Sequence, residues 1–524
     1  MMQTATLPIS QRQAHPLAQR PRRMLRWSVN RDFESATAHL LTQGGDSRIV
    51  LNGQGSNFYG YAPCPDPGLV QFGSSTGSVI STAGFQAAVA LYRRLSGPSG
   101  SYHLEVERQR CELSLLSGAN RLPGTELVFA ASGTDIHLFA AHLTAQGQST
   151  PLQAVMVESS ETGSGVPEAL SALHFASQTS QGLSVVRGQP VAQTPLLRPV
   201  CVKLRHVDGS LRSLAEVDAE FAGAVARQMQ AGGSCLLVMT DVTKTGLVAP
   251  SLACATKLRA MYGKRLSVLV DACQFRLSSD TLLGYLTQDF MVSITGSKFV
   301  GGPAFCGALL LPPGAAQRSR VVPLNALAGY SARSDWPPGW LSAKTLAESA
   351  NLGLLVRWEA ALSELRRFRA IPDQAAHGFL LTWQQAVCER IALDEHFGAL
   401  PVAALLRGRA SGAQGWDSVQ TIFPFQVFKH TTGGRQAFNM QETVLLYQQL
   451  GRRQGVLGVM EARFQLGQPV LCGLQGGQSL GALRLCSGAR LVTESMAARQ
   501  SVTHAIEQAM QALDKVATLT QAFR

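Results

Sequence analysis

The sequence has little charge and no long apolar run. Of its 524 residues, 15% are charged and 45% hydrophobic, which excludes a disordered chain and predicts a compact protein with a large buried core. No stretch of about eighteen uncharged apolar residues occurs, so a membrane-spanning helix is not expected. The N-terminal stretch lacks the apolar centre of a secretory signal, and the cytoplasm is the expected compartment. Ten cysteines are scattered at irregular spacings, with no Cys-x-x-Cys pair and no Cys/His cluster at zinc-ligand spacing. A disulfide framework and a zinc motif are therefore not expected, and the thiols read as reduced packing groups. There is no internal repeat and no low-complexity tract.

What charge there is leans positive, +12 from 46 basic against 34 acidic residues. Part of it sits in "QRQAHPLAQRPRRMLRW", with Arg12, Arg20, Arg22, Arg23 and Arg26. Such a patch can attract nucleic acid or anionic lipid. No aromatic interleaving or nucleic-acid motif follows it, so a solvated, partly flexible arm is expected rather than a nucleic-acid interface.

Beyond the arm, apolar runs alternate with helical stretches. Strands are expected at "TELVFAAS", "LQAVMVES", "GSCLLVMTDV", "LSVLVDAC", "FMVSITGS" and "FCGALLLP". Buried runs separated by helices predict an α/β domain with a mainly parallel sheet of the seven-stranded type, covered by helices. Further on, "LAESANLGLLVRWEAALSELRRFRA" reads as one long linking helix. Strands at "QTIFPFQVF", "QPVLCGL" and "GALRLCSG" and a final helix at "VTHAIEQAMQALDKVATLTQ" then suggest a smaller α+β domain. The expected division is an arm over 1–65, a large domain over 66–340, a linking helix over 341–369 and a small domain over 370–524.

Several short stretches of the large domain carry chemistry. In "FAASGTDIHLFAAH" a strand ends, Gly133 permits a tight turn and a helix begins at Thr134 and Asp135. Free amides and the positive end of a helix dipole suit a phosphate there, although Ser, Thr and Asp are also ordinary helix caps. In "LSVLVDACQ", Asp271 ends an apolar strand and Gln274 follows on the loop. The carboxyl ends of strands are where open parallel sheets bind ligands; an N-cap or a buried ion pair is the structural alternative. In "SITGSKFVGGPAFCGALLLP", Thr295 and Ser297 precede Lys298, a lone lysine among small and apolar residues. Desolvation would keep such an amine neutral and nucleophilic toward an aldehyde.

Taken in order, "SGTD", "VDACQ" and "TGSKFVGGPAFCGALLLP" resemble fold-type I pyridoxal-phosphate enzymes. The likeness is to the class V aminotransferase branch that includes cysteine desulfurases and kynureninase. It spans roughly residues 70–360, and the 27 residues from Asp271 to Lys298 suit that branch. The resemblance implies pyridoxal 5'-phosphate as cofactor, held as a Schiff base by Lys298, which also shuttles a proton at the substrate α-carbon. Asp271 would pair with the ring nitrogen and Gln274 with the ring's phenolic oxygen. Gly133, Thr134, Thr295 and Ser297 would grip the phosphate, and Thr243 in "MTDVTKTGLVAP" falls where the branch has a polar strand end near the ring. The implied assembly is a homodimer.

The substrate side is read from "GALRLCSGARLV" and "FGSSTGSVIS". Arg484 stands where this fold type often binds a substrate carboxylate, for which a planar guanidinium is well matched; an interdomain salt bridge is the alternative, and Arg490 the second candidate. Ser75 and Thr76 are candidates at the mouth of the site, from either subunit, or simple helix caps. His137 and His142 read as packing or surface residues.

Two departures from the branch stand out. The residue that stacks on the ring has no match, since only His174 and Phe175 are available and they come late; Glu161 or Thr162 are the residues left to occupy that space. Ser297 replaces the histidine that cysteine desulfurases carry before the lysine, and no Ser/Gly-flanked cysteine lies between Leu406 and Val419, which disfavours persulfide chemistry. The expected activity is an aminotransferase acting on the α-amine of an amino acid. The alternative is a lyase cleaving a Cβ or Cγ bond, and a lower-ranked one a non-catalytic binding protein of the same fold.

Overall fold

The computed structural model describes residues 32–145, 150–191, 196–408, 415–432, 434–455, 458–498 and 501–523. Among them the strands, in chain order, are β1 (Leu69–Phe72), β2 (Glu126–Ala130), β3 (Leu152–Val157), β4 (Leu196–Val202), β5 (Ser234–Asp241), β6 (Val248–Ala249) and β7 (Leu266–Ala272). The later ones are β8 (Met291–Thr295), β9 (Gly307–Leu311), β10 (Phe397–Ala399), β11 (Ile422–Thr431), β12 (Gly434–Ala437), β13 (Arg463–Gln475) and β14 (Gln478–Cys486).

The first sheet runs β2-β9-β8-β7-β5-β3-β4, with the short β6 attached to β5. Pairs among β4, β3, β5, β7 and β8 are parallel, whereas β9 runs antiparallel to both β8 and β2. The expected mainly parallel, seven-stranded type of sheet is borne out. Its strands are buried on both faces because helices cover both, so they read as continuous apolar runs. On β5, Cys235, Leu237 and Met239 pack into one cluster and Leu236 and Val238 into another, the alternation that a pleated strand dictates. Helices Thr82–Leu95, Leu214–Gln230 and Leu352–Arg369 contribute to the first cluster, and helix Gly133–Ala145 to the second.

The linking helix starts at Leu352, because Asn351 caps it by accepting from Leu354 N; residues 346–350 lie before it. It ends at Arg369, and a further helix, Asp373–Leu393, follows directly. The second sheet runs β1-β13-β14-β11-β10, with β12 on β11. Helices Asp373–Leu393 and Val502–Thr520 pack on it through a core that includes Phe425, Val427, Leu483 and Leu485. β1 joins this sheet parallel to β13 although it precedes the whole first sheet in sequence. Residues 1–31, which hold the arginine-rich stretch, lie outside the described residues. Residues 32–40 are helical, and Ser47–Ile49 form a single 3-10 turn capped by Asp46. No helix among the described residues is long and apolar enough to cross a membrane.

Candidate functional site

The strand ends of the first sheet and the loop after β1 meet at one cavity of about 230 Å³, lined by Ser75, Thr76, Gly133, Thr134, Asp271, Gln274, Thr295, Ser297, Lys298 and Arg484. Of the site residues expected from sequence, only Thr243 is absent from the lining. It is buried, and its hydroxyl accepts from Thr245 N (3.3 Å) and Leu247 N (3.1 Å), closing a tight turn. Its neighbours Val242 and Lys244 line the cavity instead.

Asp271 ends β7 and is 4% exposed. Oδ1 accepts from Cys273 N (3.2 Å) and Ser293 Oγ (3.4 Å), and Oδ2 accepts from Thr162 Oγ1 (3.1 Å). His137 Nε2 faces Oδ2 at 3.4 Å, near enough for charge attraction but poorly placed for a hydrogen bond. His137 is oriented by its own helix: Nδ1 donates to the Gly133 carbonyl one turn earlier (2.7 Å). Burial alone would raise the Asp271 carboxyl. His137, Lys298 and the Cys273 side chain outweigh it and hold the group well below the usual carboxylate range. A permanently ionised carboxylate at the floor of a cavity can keep a cationic ring nitrogen protonated.

Lys298 lies on the loop between β8 and β9, and its neighbours show why that loop is glycine-rich. Gly301 takes φ +92°, and a Cβ on Gly302 would come within 2.6 Å of Ala361 Cβ on the linking helix. Phe299, the next residue, stacks on Trp416 (centroids 5.0 Å apart, planes at 7°) and so pins the loop to the second core. Among the described residues the Lys298 amine has no hydrogen bond or ion pair, and it lines the cavity. Thr295 Oγ1 donates to Cys273 O (2.6 Å), and Ser297 Oγ donates to Thr295 Oγ1 (3.4 Å).

Gly133 opens the helix Gly133–Ala145, whose first turn is closed by Ile136 N to Ser132 O (3.2 Å). A Cβ on Gly133 would lie 2.7 Å from Cys273 Sγ, so only glycine fits between the two strand ends. Asp135 follows, buried, and accepts from Ser132 Oγ. Burial pushes its carboxyl up to about 7, reinforced by Asp46 and opposed by Ser132 and Arg48. Gln274 donates Nε2 to the Ser75 carbonyl (3.0 Å), leaving Oε1 buried with no partner among the described residues.

Arg484, on β14, is 2% exposed. Nε and Nη2 donate to Gln468 O, Nη2 to Thr76 Oγ1 (3.0 Å) and Nη1 to Lys244 O (3.2 Å). These acceptors are neutral, and no carboxylate among the described residues ion-pairs with it, so the interdomain salt bridge does not form. Arg490 instead donates to Val79 O and Glu494 away from this cavity. Thr76 braces Arg484 from the same chain.

Glu161 and Thr162 both line the cavity. His174 is bonded to the Tyr330 hydroxyl (2.6 Å), and Phe175 packs on the Tyr330 ring. His142 donates to Pro323 O (2.7 Å) and is a packing residue as expected. The sequence reading missed Arg48, Tyr59, His137 and Lys244. His137, four residues after the Gly133 turn and hence on its face of the helix, was the one with a readable signal. Arg48 and Tyr59 arrive through tertiary packing, with Arg48 held by Asp46 and lying 4.9 Å over the Phe305 ring. Residues 409–414, part of the segment between Leu406 and Val419 that lacks a nucleophilic cysteine, lie outside the described residues.

No family model and no curated protein matches the chain. Solved structures do. A NifS-like protein superposes with TM-score 0.51 at 12% identity, covering 87% of this chain and 99% of its own. A mutant of C-DES with glycine covalently linked to its PLP cofactor gives 0.51 at 14%, covering 86% and 99%. Oryza sativa TDC with PLP and tryptamine gives 0.50 at 12%, covering 97% and 100%. At these identities the likeness concerns the fold, and it bears out the expected fold-type I architecture.

Proposed function

We propose that the protein is a pyridoxal-phosphate enzyme acting on the α-amine of an amino acid, and that it is an aminotransferase. The observation that carries the reading is the common cavity of Lys298, an amine without a partner, and Asp271, a carboxylate held ionised. The residues fit the cofactor. The glycine at 133 leaves a gap that a Cβ would fill, Gln274 keeps an unpartnered buried oxygen, and the amides of a helix N-terminus stand beside the Thr295 and Ser297 hydroxyls.

Gly133, Thr134, Thr295 and Ser297 would hold the phosphate, Gln274 the phenolic oxygen, Asp271 the protonated ring nitrogen and Lys298 the aldehyde carbon. When bound, the cofactor supplies an electron sink for negative charge developing at the substrate α-carbon. Arg484 would hold the substrate carboxylate through the N–H groups along the edge of its guanidinium plane and so fix the orientation of the substrate. Lys298 would take the α-proton and return it two bonds away, at the carbon of the cofactor aldehyde, which is the proton shift that transfer requires. Among the carboxyl and imidazole groups at the cavity, Glu161 accepts from Thr245 (2.7 Å) and faces Arg205 at 3.7 Å, and His137 faces Asp271. Lys298 and Lys244 are then the amines left to carry protons at the cavity; transfer calls only on the first, whereas elimination would also need a proton delivered to a leaving group. A homodimer, which the resemblance implies, and a cytoplasmic location complete the proposal, checked by sedimentation and fractionation.

The test is direct. Purified protein should absorb in the visible, and borohydride reduction should fix a pyridoxyl label on Lys298. Amino acid added with a keto acid should yield the exchanged pair. A colourless protein, or a label elsewhere, refutes the reading; ammonia or sulfide release without exchange replaces transferase by lyase.

A further inference from the structure

Lys244 is the cation that the proposed chemistry leaves without work. It follows β5, lines the cavity, and donates through Nζ to the Ser159 carbonyl at 3.3 Å. The sheet order decides which end of the cavity it serves. Gly133 follows β2 and Thr295 ends β8, both on one side of Asp271 at the end of β7, whereas β5 is the neighbour of β7 on the other side. Lys244 is thus separated from the phosphate end by the carboxylate under the ring. It is joined instead to the carboxylate-binding residue, since its own carbonyl accepts from Arg484 Nη1 at 3.2 Å.

Among the described residues neither cation has an ion-pair partner. Glu161 is the acid whose charge acts on Lys244, and its carbonyl accepts from Lys244 N at 2.8 Å. Its carboxylate is turned to Thr245 Oγ1 and Thr245 N (3.1 Å) and to Arg205. Burial, and then the charges of Arg484 and Lys298, push the Lys244 ammonium down to about 8, against a smaller opposing pull from Glu161. A half-buried cation with a single carbonyl contact beside a second cation is unfavourable in the absence of an anion.

We infer that the substrate carries a second anionic group on its side chain, and that Lys244 binds it while Arg484 binds the α-carboxylate. The substrate class is an amino acid with a carboxylate, sulfonate or phosphate side chain short enough to reach between neighbouring cations. This rests on the proposed use of the cavity for amino acids.

Glutarate and butyrate, which have one and the same short chain scale but two and one carboxylates and no amine, probe it without any reaction. Titrated calorimetrically into the holoenzyme at pH 7, glutarate should bind about tenfold or more tighter than butyrate, the return of one charge-assisted contact. Lys244→Met should bring the two ligands within about threefold, and Lys244→Arg should restore most of the difference. Equal binding by the parent protein, or an unchanged ratio in Lys244→Met with an unchanged melting temperature, overturns the inference. Lys244→Gln is the substitute if the methionine variant does not fold. Borohydride labelling of Lys298 on the same samples keeps the two readings apart: loss of the label sinks the cofactor proposal, whereas loss of the glutarate preference with the label intact sinks only this one.

Discussion

Replacing Asp271 by asparagine separates a structural carboxylate from one that serves a cofactor. The asparagine oxygen can keep the two bonds that Oδ1 accepts, from Cys273 N and Ser293 Oγ. At the Oδ2 position an amide replaces the acceptor; the Thr162 hydroxyl can rotate to accept from it. What disappears is the charge attraction to His137, 3.4 Å away, together with the desolvation of a buried anion. With Lys298 also drawing on the carboxylate, the attractions outweigh the desolvation, so the variant loses about 1 to 2 kcal/mol of folding free energy, a drop of a few degrees in melting temperature. The catalytic loss is of another order. Without the carboxylate the ring nitrogen loses its proton, and a penalty of about 4 kcal/mol on the barrier is about a thousandfold in rate. Thermal melts and the single-turnover decay of cofactor absorbance after adding amino acid measure the two quantities on one sample. An asparagine variant that keeps its rate within about tenfold would refute the assignment, as would one destabilised by several kcal/mol with its rate intact.

Other expectations follow from particular contacts. Gly133→Ala places a methyl 2.7 Å from Cys273 Sγ and should weaken cofactor binding about tenfold or more by equilibrium dialysis, with Cys273→Ala in the same chain recovering part of the loss. Arg484→Lys keeps the charge but loses the planar fork that spans Thr76, Gln468 and Lys244. Steady-state kinetics should show KM for amino acids raised about tenfold to a hundredfold, with kcat less affected. The pH dependence of stability should carry the mark of Asp135, whose folded carboxyl holds its proton up to about 7. The unfolded chain releases that proton near the ordinary carboxyl range, so stability is full below that range and falls as pH rises toward 7, by roughly 4 kcal/mol at most. Asp135→Asn should flatten that decline in denaturant melts across pH 4 to 8; a decline that persists unchanged would remove Asp135 as its cause.

The parts of the site legible in sequence are those where a polar residue ends an apolar strand. Asp271, Thr295 and Lys298 follow runs too apolar to be anything but buried, so their place at the carboxyl edge of a sheet was determined locally. Thr243 failed by one residue. It sits at the same kind of strand end, but the turn closed by Leu247 draws its hydroxyl into backbone bonds and turns Lys244 to the cavity, and a run of letters does not reveal which side chain a turn exposes. His137 was dismissed because a histidine inside an apolar helix is usually packing, as His142 is. Arg48 and Tyr59 come from a segment whose periodicity is weak and whose position is set by contacts with residues far along the chain. The helix expected to begin at "LAESA" starts later because the Asn351 cap, not helix propensity, fixes its first turn.

The pairing of β1 with β13 has a mechanical consequence. Through it Ser75 and Thr76 travel with Gln468 and Arg484 as one piece, a jaw built from both ends of the chain, while Asp271, Thr295 and the Gly133 turn belong to the opposing sheet. Moving one sheet against the other would have to carry Arg484 and its braces as a unit and break the bonds of Gln274 to Ser75, of Arg484 to Lys244 and of Arg276 to Ser74, Thr421 and Ser487, so these links hold the jaw at a set distance from the anvil.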